Sequence, residues 1–123
     1  MKNYKLSFGE IIIIDENLAE VIVNEGVVMN DIMVDEYHDF LLSYLKAPFS
    51  LLINKKHSYA MTFSAQKTIA TLKEIKAMAV LFSSVGGLMS TETLMNLGEN
   101  KDLNIRLFQK REDALNWLNS LES

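Results

Sequence analysis

The chain has no cysteine in its 123 residues and one proline, Pro48. Without thiols there is no disulfide framework, no thiolate nucleophile and no sulfur-rich metal site. With five glycines and one proline, no stretch reads as a flexible linker, so a single domain over residues 1–123 is expected. Long apolar runs are missing too. The longest, Ala77–Phe82, and the shorter Ile11–Ile14 fall well below the roughly 20 residues of a membrane span. Glu10 and Asp15 bracket those isoleucines, so the N-terminus does not read as a signal peptide. The expectation is a cytoplasmic protein with no membrane span. Basic clusters are scarce: Lys55-Lys56 and Lys110-Arg111 are isolated pairs, without the aromatic interleaving of a nucleic-acid surface.

Catalytic motifs are equally sparse. Neither dinucleotide-binding G-x-G-x-x-G nor the P-loop G-x-x-x-x-G-K-[ST] occurs, and the hydrolase elbow G-x-S-x-G is absent. Gly86-Gly87 has the location of a phosphate loop but the wrong spacing, and reads as a strand-to-helix turn. His38 lies beside Asp35 and Asp39 and reads as a solvated helix histidine. His57, in Lys55-Lys56-His57-Ser58, could serve Ser58 as a base, but no neighbouring carboxylate in the sequence would orient it. Asp35-Glu36 and Glu112-Asp113 read as acids of first helical turns, favoured there by the helix dipole. No catalytic residue, no metal site and no cofactor is expected.

What remains is ordinary globular material, 49% apolar and 23% charged. The net charge of −4 is unevenly spread. Residues 1–40 hold nine acids against Lys2 and Lys5, whereas residues 41–123 hold seven acids and ten bases. An acidic solvent face on the first helix is the favoured account; the alternative is a polar molecule able to associate head to tail or with a basic partner.

Lys5–Phe8 and Glu10–Ile14 form an extended start interrupted by Gly9. The turn Asp15-Glu16-Asn17 and the alternating run Leu18–Asn24 follow, which implies an antiparallel hairpin. Asn30 or Asp31 caps a helix to about Leu45, with Tyr37, Phe40, Leu41, Tyr44 and Leu45 at helical spacing. Ala47-Pro48 stops it. Phe49–Asn54 reads as a buried strand and Lys55–Ala60 as a polar loop. Ser64 is the expected cap of a second helix carrying Ala65, Ile69 and Leu72.

Lys76–Phe82 should be a central strand. A third helix with Leu88, Met89, Met95 and Leu97, closed by Gly98, follows. The strand Asn104–Phe108 then leads into a last helix with Ala114, Trp117, Leu118 and Leu121 on one stripe. The methionines read as core filling. Helix-separated strands must pair in parallel through crossovers, so the expected fold is α/β: a mixed sheet of about five strands covered by about four helices.

The strand end Ile53-Asn54, the strand Ala77–Ser83 and Ile105-Arg106-Leu107-Phe108 followed by Glu112-Asp113-Ala114-Leu115-Asn116-Trp117-Leu118 together resemble the STAS-like superfamily. Within it the chain is similar to small stand-alone bacterial STAS/SEC14-related proteins of unassigned function. The resemblance implies a single STAS-like domain acting as a non-enzymatic protein-interaction or regulatory module. Its SEC14 side implies an alternative, a carrier of a small apolar or lipid-like ligand, with an apolar cavity of about 300 Å³ or more. In the anti-sigma-factor antagonists a phosphorylatable serine starts the second helix. Thr62-Phe63-Ser64-Ala65 falls at that place, with Ser64 at the phosphoserine position, although Thr62, Phe63 and Ala65 depart from the Asp-Ser-Ser-Gly pattern. The candidate partner-contact or regulatory residues are therefore Thr62, Ser64, Ser84, Gly86 and Gly87. The implied partner is a protein, a second copy of the chain included.

Overall fold

A computed structural model describes residues 2–82 and 104–121. Eleven elements are described in this order: β1 (Lys2–Leu6), β2 (Gly9–Asp15), β3 (Leu18–Val23), β4 (Val28–Met29), α1 (Asp31–Tyr44), β5 (Phe49–Lys55), β6 (Ala60–Met61), α2 (Phe63–Thr68), β7 (Ile75–Phe82), β8 (Asn104–Phe108) and α3 (Arg111–Ser120). Six strands form one sheet in the order β1-β2-β3-β5-β7-β8, and β4 and β6 form a separate parallel pair. The sheet is mixed, as expected. The first three strands are an antiparallel meander, and β3, β5, β7 and β8 run parallel.

Six strands replace the expected five because the N-terminal run folds back on itself. Lys2–Leu6 pairs with Gly9–Ile13, so Gly9 starts a strand and does not merely interrupt one. A Cβ at Gly9 would lie 2.1 Å from the Ile22 carbonyl oxygen, so only glycine lets β2 approach β3 there. Gly26, with φ of +80°, takes the left-handed turn after β3 that glycine adopts without strain. Three helices are described; the expected third helix over Leu88–Leu97 lies outside the described residues.

Strand alternation sends the chain's apolar residues to two cores. On the first face, Ile11, Val21, Leu51, Met78 and Val80 pack with Val34, Tyr37 and Leu41 of α1 and Ala65 of α2. On the second, Leu18, Leu52, Ala77 and Ala79 pack with Ala114 and Leu118 of α3, flanked by Trp117 and Leu121. The stripe expected on the last helix is thus the stripe that packs. Burying a side chain such as Leu118 contributes roughly 1.5–3 kcal/mol. Every residue of β3 is buried, which explains why its alternation does not separate inside from outside: it is covered on both sides.

Helix ends follow local chemistry. Asn30 caps α1, its side chain accepting from the Met33 N–H at 2.9 Å. Ala47-Pro48, a cis peptide, lies between α1 and β5. The cap of α2 is Thr62 and not Ser64: Thr62 Oγ1 accepts from the Ala65 N–H at 3.1 Å. The helix therefore begins at Phe63, one residue before the expected cap. It ends at Thr68, short of Leu72.

Candidate functional site

Because β3, β5 and β7 run parallel, Val23, Lys55 and Phe82 end at one edge of the sheet. Open α/β sheets bind ligands and partners at such an edge. The N-termini of α1 and α2 lie above it, stitched together by backbone hydrogen bonds. Gly26 N–H donates to the Ser58 carbonyl at 2.8 Å, and Thr62 N–H to that of Met29 at 2.9 Å. Ser64 is exposed, and its hydroxyl donates to Asp31 Oδ2 at 3.1 Å, joining the first turns of the two helices. Around this contact three large apolar side chains face solvent: Ile32 at 79% exposure, Phe63 at 64% and Val28 at 53%. Thr62 and Ser64 are thus brought together with Asp31, though in exchanged roles. Ser84, Gly86 and Gly87 lie outside the described residues.

Beneath this surface, on the first face, lies a cavity of about 40 Å³. Its walls include Ile53, Met61, Ile69, Met78 and Val80, and its polar groups come from Tyr37, Lys55 and Tyr59. No described residue hydrogen-bonds to the Lys55 amine or to either phenol; Lys55 Nζ sits 5.0 Å from the centre of the Tyr59 ring. Burial lowers the Lys55 pKa below its ordinary value. It pushes Tyr59 up to about 12 and raises Tyr37 further, with the neighbouring Tyr59 phenol adding to the shift. From the sequence Lys55 is expected in a polar loop; in the structure it ends β5. Its phase was the missed signal, since residues 49, 51, 53 and 55 of one strand share a face and that face is the core.

On the second face a different cluster forms. Glu20, 3% exposed, accepts from Arg111 Nη2 at 2.7 Å and from Asn54 Nδ2 at 2.9 Å. A cleft of about 190 Å³ beside it is lined by Asn54, Lys56, Leu81, Phe82, Gln109 and Arg111. The carboxylate's hydrogen bond raises the Arg111 pKa, so this pair is a closed ion pair.

The histidines do not assemble a catalytic group. His38 is half-buried, not solvated, and its Nε2 lies 2.9 Å from the Ile69 carbonyl, tying α1 to the end of α2. His57 Nδ1 does have a carboxylate, Glu25 Oε1, at 3.9 Å. That oxygen accepts the Ser58 backbone N–H at 3.0 Å, so the serine's amide, not its hydroxyl, is engaged. Among the described residues no three His, Asp or Glu side chains converge as a metal site would, and no described helix is long and apolar enough to cross a membrane. Compared with protein-family models, curated proteins and solved structures, the chain has no match.

Proposed function

We propose that this protein is a non-enzymatic interaction module of the STAS-like type, contacting a protein partner through the surface around Ser64. The carrying observation is the apolar group Val28, Ile32 and Phe63 displayed beside the Asp31–Ser64 contact. Exposed large apolar side chains grouped near polar residues are candidate interaction surfaces, and an exposed aromatic such as Phe63, with Lys67 Nζ 4.6 Å from its ring centre, is a typical source of binding energy. The acids of α1 favour a partner with basic residues at its rim, a second copy of the chain being one possibility through residues 41–123. Phosphorylation of Ser64 would place a dianion against Asp31 and loosen the link between α1 and α2, which makes the same surface switchable. The resemblance to STAS-like proteins supports the same reading.

The alternative, a carrier of a small apolar or lipid-like ligand, needs an apolar cavity of about 300 Å³ or more, larger than both the 40 Å³ first-face cavity and the 190 Å³ cleft beside Arg111. The interaction reading is therefore preferred. Native mass spectrometry and quantitative pull-down test it: the double variant Ile32→Lys/Phe63→Lys should lose the assembly or partner that the unmodified protein retains. Leu42→Lys, at another exposed apolar residue, should keep it. A strict monomer with no retained partner would overturn the proposal.

A further inference from the structure

Three polar groups around the first-face cavity have no hydrogen-bonding partner among the described residues, and all three can donate: the Lys55 ammonium and the Tyr37 and Tyr59 hydroxyls. All three line one cavity, and Lys55 Nζ lies 5.0 Å from the centre of the Tyr59 ring, so the groups converge. Donors at the mouth of an apolar pocket that no neighbour engages are available to a ligand, and a hydrogen bond made there is strengthened by the low local dielectric. Lys55 and Tyr59 are only half-buried, so the ammonium, which rests over the Tyr59 ring among Ile53, Met61 and Met78, keeps its hydrogen-bonding capacity open to an incoming acceptor. The sheet supplies a direct contrast, because the buried Glu20 has two partners.

The geometry points to a binding site for a small organic monocarboxylate, its two oxygens accepting from Lys55, Tyr37 and Tyr59 and its short alkyl portion lying against the apolar wall. Charge selects the class. One ammonium balances one negative charge, whereas a dianion such as phosphate would leave an uncompensated charge against apolar walls. An amine would add a second cation beside Lys55, and an alcohol would forgo charge-assisted hydrogen bonds, which are about twice as strong as neutral ones. Size sets the scale. A cavity of about 40 Å³ accommodates a carboxylate head but is far below the roughly 150 Å³ that holds benzene, so a two- to four-carbon acid with its tail toward the half-exposed Tyr59 and Met61 is the fit. This site lies beneath the exposed patch and is independent of the proposed partner surface.

Two cavity-lining methionines, Met61 and Met78, provide internal probes. In protein labelled with ¹³C at the methionine methyls, sodium propionate should shift the Met61 and Met78 signals saturably and leave Met33 nearly still. Sodium chloride at the same ionic strength, propanol and propylamine should not. Lys55→Met should weaken propionate binding roughly tenfold or more, the loss of one charge-assisted hydrogen bond, and Tyr59→Phe should weaken it less. Non-saturating shifts, equal shifts from propanol or propylamine, or undiminished binding by Lys55→Met would each overturn the assignment. Should Lys55→Met fail to fold, the ligand series on the unmodified protein together with Tyr59→Phe decides the question.

Discussion

The two faces of the sheet solve the same problem differently. The second face packs small residues, Ala77 and Ala79 against Ala114, so α3 lies close. Its buried charge among the described residues, Glu20, is met by a guanidinium and an amide. The first face packs rings, with Phe8 edge-on to Tyr37 at 6.0 Å, and rings leave gaps that methylenes do not fill. Tyr37, Lys55 and the half-exposed Tyr59 line such a gap, and no described residue hydrogen-bonds to their polar ends. Among the described residues the second face thus pairs its buried charge, whereas the first leaves its donors open. A closed polar cluster is architecture, because its energy is spent within the chain; an open one is a site, because its energy is available to a ligand.

Removing a partner from the closed face should hurt most. Arg111→Ala leaves the Glu20 carboxylate buried with Asn54 alone. Breaking a fully buried pair costs roughly 3–5 kcal/mol, but the Arg111 side chain is 46% exposed, so water offsets part of the loss and about 2 kcal/mol is expected. Urea denaturation measures it. A loss within about 0.5 kcal/mol, ordinary for surface substitutions, would mean the second face does not depend on its ion pair.

The open face should show itself in alkaline solution. Folding raises the phenol pKa of Tyr59 from 10.0 to about 12, so the unfolded chain loses that proton first, and stability present below pH 10 drains away as pH rises toward 12. Tyr37 acts in the same direction. Lys55 acts oppositely: its lowered pKa means the unfolded chain holds the proton more tightly, so stability climbs with pH from the lowered value up to 10.5. Lys55→Met should therefore stabilise the protein at neutral pH and flatten the climb, and Tyr59→Phe should flatten the alkaline fall. Urea midpoints collected from pH 7 to pH 12 separate the two. A Lys55→Met profile parallel to that of the unmodified protein would show that Lys55 is solvated and the first face is not open.

The edge of the first face rests on α2, whose attachment is local. Thr62→Ala should cost about 1 kcal/mol, the usual value of an N-cap side chain. Ser64→Ala, removing one exposed hydrogen bond to Asp31, should stay within about 0.5 kcal/mol. Thermal unfolding of the two variants side by side distinguishes them, and a larger loss from Ser64→Ala would return the cap to Ser64.

How far the sequence carries this picture depends on whether a signal is local. The stripe Ala114, Trp117, Leu118 and Leu121, the Asn30 cap and the apolar run of β7 are local periodicities, and all are legible. Gly9 is not, since its need for glycine comes from the Ile22 carbonyl on another strand. Nor is the cap of α2, because Thr62 and Ser64 are both good caps and only the anchoring of Thr62 N–H to Met29 fixes where the helix starts. The site follows the same division. Ser64 and its surroundings could be named from the resemblance, but the meeting of Tyr37, Lys55 and Tyr59 depends on α1 crossing β5, a tertiary fact. Glu20 and Arg111 are 91 residues apart, beyond any spacing rule.

The contrast between the faces has one exception, and it offers the gentlest test. Ser50 lies on the closed face, paired in register between Leu18 and Ala77. It is 1% exposed, and its hydroxyl has no hydrogen-bonding partner, although its backbone N–H donates to the Asn17 carbonyl at 2.9 Å. A buried hydroxyl without a partner carries a desolvation cost of about 1–3 kcal/mol. Ser50→Ala removes that cost together with a few packing contacts, since alanine fills nearly the same space. The net expectation is a small gain, about 0.5 kcal/mol, read from the urea midpoint. A loss of about 1 kcal/mol would mean that Ser50 does hydrogen-bond in solution. The second face would then be closed throughout, and unmet polarity would belong to the first face alone.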